Sequence, residues 1–197
     1  MRLKFLTIIG AGLMAALVFS GPLHAAEPSV AGLWEQADSH GHSWFFFFER
    51  EGVYEGAIVK MFMKPGEVPN PICKGCAGDQ KNAPVFGLVI VKGMQRNGLN
   101  YEKGTIIDPR NGSVYQAKMK VSPDGQLLTL RGFLGIDLFG QDQVWKRLPD
   151  DALQPHEVPP NIFQYWAMVP GQSDKKLLNS GAPPRPGSPK NLQQPSR

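Results

Sequence analysis

Ser43-Trp44-Phe45-Phe46-Phe47-Phe48-Glu49 is the stretch that decides the architecture. On an extended chain its five consecutive aromatic side chains point alternately to two faces. Both faces must then be buried, or one packs on the core while another segment covers the other. Left at a sheet edge, so apolar a run would invite strand-to-strand aggregation. We therefore expect a sheet that closes on itself.

Outward from this run the chain alternates strands and turns. Before it, Gly32-Leu33-Trp34-Glu35 begins a strand and Asp38-Ser39-His40-Gly41 is a turn. After it, Glu49-Arg50-Glu51-Gly52 reads as a hairpin turn, and 53–62 as the next strand. Residues 85–94 are apolar on both faces and read as a further strand, followed by the hairpin signal Arg96-Asn97-Gly98. Residues 99–107 form a strand interrupted by Gly104, and Asp108-Pro109-Arg110-Asn111-Gly112 is a turn. In 113–121, Tyr115, Ala117, Met119 and Val121 share one face while Gln116, Lys118 and Lys120 share the other, a half-solvated antiparallel strand. Ser122-Pro123-Asp124-Gly125 turns the chain into the last two strands, 126–133 and 141–148. With about eight strands at this spacing and no long amphipathic helix, the fold class is all-β, a small antiparallel barrel over 27–148. A barrel of that size is filled by its own side chains or holds one small ligand.

Between 62 and 85 lies a long loop that carries the only two cysteines, in Asn70-Pro71-Ile72-Cys73-Lys74-Gly75-Cys76-Ala77-Gly78. Its prolines and glycines forbid a long helix or strand. Cys73-x-x-Cys76 has three readings. A structural disulfide suits an oxidising compartment and fixes the loop's shape, although closing so short a loop stabilises by only roughly 2 kcal/mol. Redox catalysis wants the first cysteine at a helix N-terminus. One cysteine pair is half a zinc site, and Ala77 excludes the haem-attachment pattern. We favour the disulfide. His40 and His42 could chelate a metal from one strand face, but no third ligand is evident, so solvated turn residues are the expectation and no cofactor is assigned.

The ends are of different character. Residues 1–26 read as a signal peptide: Arg2 and Lys4, an apolar run over 5–19, a Gly21-Pro22 break and small residues at Ala25-Ala26. Cleavage leaves an exported protein, periplasmic or secreted, with no membrane span. It also takes Lys plus Arg from 21 to 19 against 17 Asp plus Glu, a net charge of +2. That near-balance argues against nucleic acid as a partner. Residues 149–197 form a tail with ten prolines, of which 172–197 read as disordered. The aromatic segment 162–168 within the tail is expected to dock on the barrel, the alternative being a protein-binding segment.

Taken with its flanks, the cysteine loop resembles the exported bacterial family catalogued as domain of unknown function 2147. The resemblance rests on Gly32-Leu33-Trp34, on Gly52 with Tyr54-Glu55-Gly56-Ala57-Ile58-Val59, and on the loop from Asn70 to Gly78 with Pro84 and Gly87. It continues through Gly104-Thr105-Ile106-Ile107-Asp108-Pro109, Gly112, Tyr115, Leu130-Arg131-Gly132-Phe133-Leu134-Gly135 and Trp145-Lys146-Arg147. The order of these pieces spans residues 31–148. The resemblance implies export and a calycin-like, lipocalin-style barrel, and brings no established activity. It also implies a basic side chain packed over the tryptophan of the first strand, closing one barrel end: Trp34 with Arg147 or Arg131.

No catalytic triad, paired carboxylates or phosphate loop is present. The function expected is a non-catalytic binding or envelope-associated module for a small, largely apolar ligand. The alternatives are a thiol–disulfide enzyme using Cys73 and Cys76, and an interaction module acting through the aromatic tail. The candidate pocket is Trp44, Phe46 and Tyr115 with Arg131 as the polar handle; aromatic residues at strand spacing equally well fill a barrel.

Overall fold

A computed structural model of the chain describes residues 27–38, 41–68 and 71–169. The signal peptide expected at 1–26, His40 and the disorder expected at 172–197 lie outside the described residues. Eight strands follow one another: β1 Gly32–Asp38, β2 Gly41–Arg50, β3 Val53–Met61, β4 Val89–Asn97, β5 Asn100–Ile107, β6 Val114–Val121, β7 Leu127–Phe133 and β8 Gln141–Arg147. Each pairs with its sequence neighbour, and β8 returns to β1, so the sheet is a closed barrel with no free edge. The seam is short: Trp34 lies opposite Arg147 and Glu35 opposite Lys146. Arg131 is therefore not the residue opposite Trp34.

The four phenylalanines divide by strand alternation. Phe45 and Phe47 join the barrel interior with Trp34, Tyr54, Met94, Tyr101, Met119 and Trp145. Phe46 and Phe48 face outward, where they join Leu33, Ala57 and Val59 in a second apolar cluster. That outer cluster is roofed by the segment after the barrel, through Leu153, Val158, Ile162 and Trp166. A short helix, α1 Phe163–Trp166, sits there, and Tyr165 stacks on Phe48 with ring centroids 4.3 Å apart. Lys60 of β3 meets Glu157 at 2.8 Å and pins the roof from its side.

The sequence reading of β4 needs correcting at its start, which is Val89 and not Val85. Val85 and Leu88 are apolar because they are buried at the two ends of a turn, with Phe86 exposed between them. Leu88 donates its N–H back to the carbonyl of Val85 at 3.1 Å. Gly87 takes φ +84°, and a Cβ there would lie 2.6 Å from the side chain of Asn161 in the roof. Only glycine permits both that conformation and that approach.

Candidate functional site

The barrel holds a cavity of about 850 Å³, and its two ends differ. One end is shut. The Arg147 guanidinium lies 4.1 Å from the Trp34 ring centre. It donates to the carbonyls of Gly125 at 2.6 Å, Ala31 at 3.0 Å and Ser29. Burial pulls its pKa down, opposed by the charge of Asp150. Beside it the Trp34 indole donates to the Val30 carbonyl at 2.7 Å, and the Val30 N–H donates to the Tyr101 hydroxyl at 2.9 Å. The residues leading into β1 thus lie across this end and fasten to the strands they cross.

Above that plug the cavity floor is apolar. Phe45 stacks on Trp145 at 4.2 Å, with Ile58 and Leu130 also facing the space. Two amides then interrupt the apolar wall. Gln36 follows Trp34 by two residues and Gln143 precedes Trp145 by two, so the period of a strand turns both inward. They lie on β1 and β8, the two strands of the seam. Gln36 is only 9 % exposed and, among the described residues, its side chain makes no hydrogen bond. Gln143 accepts the Trp145 indole N–H at 3.1 Å through its carbonyl oxygen, which leaves its amide donors turned to the cavity.

The other end is the mouth. It is rimmed by Phe62, Met63 and Ile72 of the β3–β4 loop, by Pro109 of the β5–β6 turn and by Leu134 beyond β7. Cys73 and Cys76 are joined in a disulfide and are 0 % and 3 % exposed. The Cys73 N–H donates to Ala83 at 2.9 Å, and the Asn82 N–H donates to Cys73 at 3.0 Å, so the loop folds back on itself. It also docks across the mouth: a Cβ on Gly75 would lie 2.1 Å from the carbonyl oxygen of Asn111 in the β5–β6 turn. In that turn Asp108 accepts from Arg110 at 2.7 and 2.9 Å, and Arg110 holds its carboxyl below the usual carboxylate range.

Of the four residues expected to form the pocket, Tyr115 lines the cavity. Trp44 does not. Strand alternation leaves Trp44 outside with Phe46 and Phe48, where its indole donates to Glu35 at 3.3 Å and Lys60 lies 4.7 Å from its ring. Phe46 belongs to the outer cluster under the roof. Arg131 cannot serve as the polar handle, because Leu130 and Gly132 on either side of it line the cavity and turn it outward. There it binds Asp137 at 2.8 Å and Asp142 at 2.7 Å. His42 is at the rim, 2.8 Å from Glu35 and stacked on Phe62 at 3.8 Å. Among the described residues no three His, Cys, Asp or Glu side chains are grouped to hold a metal. The residues missed in the sequence are Trp145, Gln36 and Gln143; counting by twos from Trp34 and Trp145 finds both amides.

A closed eight-stranded antiparallel barrel with one plugged end and an internal cavity is a lipocalin-like barrel. The protein HP1028 from Helicobacter pylori, described as belonging to the lipocalin family, superposes with a TM-score of 0.57 at 16 % identity, covering 67 % of this chain and 91 % of its own. At that identity the likeness is one of fold. The chain belongs to the family of uncharacterised proteins conserved in bacteria, DUF2147, whose model matches residues 32–147. No curated protein matches it.

Proposed function

We propose that the protein is a non-catalytic, exported binding module that takes a small, largely apolar ligand into the barrel. The observation that carries this reading is the cavity itself. At about 850 Å³ it falls within the range that buries most of a small organic molecule, and apolar side chains dominate its floor. The family and the lipocalin-like fold support the same reading. A disulfide as structural element suits an exported protein. The rival readings find less support. A thiol–disulfide enzyme needs an accessible attacking sulfur, whereas both sulfurs are buried in the loop. An interaction module built on the aromatic tail needs those rings free, whereas Tyr165 and Trp166 pack on the barrel's own outer face.

The test is titration of the protein with 1-aminoanthracene, an uncharged dye that brightens in apolar surroundings. We expect one saturable site per chain, weakened by Leu130→Trp, which fills the floor, with the circular dichroism spectrum unchanged. Absence of saturable binding to the unaltered protein would sink the reading.

A further inference from the structure

We propose that the cavity selects an acyl amide, a neutral amide group on an apolar chain, over the corresponding free carboxylate, through Gln36 and Gln143. The inference rests on the binding reading above and gives it a ligand class. Its observation is chemical. Between the aromatic floor and the charged rim, the wall carries two primary amides, neither of which ionises. Gln36 is nine-tenths buried, and among the described residues its side chain makes no hydrogen bond. Its amide atoms are not sealed in the wall but reach the cavity, so donor and acceptor are both open to a ligand there. Gln143 already accepts the Trp145 indole on its oxygen and has its N–H groups unused. Together they present donors from two strands of one seam, with the Gln36 oxygen as the acceptor not yet engaged. A ligand amide completes this set: its carbonyl oxygen accepts from Gln143 or Gln36, and its N–H donates to the Gln36 oxygen. An ester supplies only the acceptor. A carboxylate supplies acceptors but brings a charge that no interior cation meets. Arg147 is committed beneath the floor to three backbone carbonyls. Arg110, which lines the cavity toward its mouth, is engaged by the Asp108 carboxylate, and Arg131 faces outward onto Asp137 and Asp142. An ion taken to the depth of the two amides therefore loses its water without gaining a partner. At the rim, Lys64 and Lys74 are exposed, and a carboxylate resting there stays solvated and gains little.

The experiment is displacement of 1-aminoanthracene near neutral pH by dodecanamide, methyl dodecanoate and dodecanoate, which share one chain. We expect the amide to displace the dye at a concentration about tenfold below that of dodecanoate, with the ester between, as sites built to hydrogen-bond a group reject analogues lacking it. Gln36→Leu with Gln143→Leu should abolish the ranking of the three ligands, each displacement being referred to that variant's own dye affinity, because leucine fills a similar volume without the polar atoms. The infrared carbonyl band of bound, carbonyl-labelled dodecanamide gives a second readout on the unaltered protein, where hydrogen bonding lowers its frequency relative to an alkane solution. Displacement by dodecanoate at least as good as by the amide, a ranking that survives both leucines, or a carbonyl band at its alkane position would each overturn the proposal while leaving the binding reading in place. A protein that takes up no dye would remove both.

Discussion

Arg147 carries more of the shut end than any other side chain. Its guanidinium satisfies three backbone carbonyls and covers an indole at once. Arg147→Ala strips those carbonyls of their donor and should cost about 3 kcal/mol, from the charged hydrogen bonds and the cation–π contact together. A fall in the urea midpoint with an unchanged slope is the expected record. Arg147→Lys should recover little, since an ammonium cannot fork to three acceptors in a plane. At the rim, Glu35 accepts from His42 and Trp44, and its pKa lies below the usual carboxylate value, the His42 hydrogen bond being the largest cause and burial opposing it. A carboxyl with a lowered folded pKa contributes its full stabilisation above its unfolded pKa and loses it as pH falls through the folded value. The Glu35 contribution should thus be intact at neutral pH and fade under acid. Its carboxyl-carbon NMR midpoint should lie below that of an ordinary glutamate and rise in His42→Leu; an unmoved midpoint would contradict the assigned cause.

At the scale of elements, the segment after β8 behaves as part of the barrel's outer wall. It covers Phe46 and Phe48, buries Trp166 to 3 % exposure, and is fastened at its edges by Lys60 with Glu157 and by the Asn161 amide, which donates to the Gly87 carbonyl. Trp166→Ala should destabilise the protein by about 3 kcal/mol, in the range for a buried aromatic truncated to alanine. A chain ending at Leu148 should bind apolar dyes on its outside and aggregate, because two phenylalanines and their neighbours become one exposed patch. A truncated chain that stays monomeric with an unchanged unfolding midpoint would show that the segment merely rests on the sheet. The double-sided burial was legible in the sequence, since five aromatic residues in a row admit no solvated face. The start of β4 was not. Val85 and Leu88 look like strand residues, but they are buried through a turn that Gly87 makes, and apolarity alone does not tell a buried turn from a buried strand.

For the molecule as a whole, the eight-stranded closed barrel was readable because each turn carries its own chemistry and each strand is short. The site was readable only in part. Tyr115 sits on a cleanly alternating strand, so its face could be told. Trp44 and Phe46 were misplaced because a run apolar at every position does not tell which of its two alternating sets points inward; Phe45 and Phe47 do. Arg131 looked buried by composition, but its partners, Asp137 and Asp142, lie across a loop and a strand that spacing alone does not bring together. The plugged end has one last consequence. With Arg147, Trp34 and the leading residues closing the far side, the barrel is a cul-de-sac with a single door. Whatever enters must leave by the way it came, past the disulfide loop and the β5–β6 turn, and a newcomer cannot push the occupant out from behind. On the proposed binding reading, such a vessel stores and delivers and does not conduct.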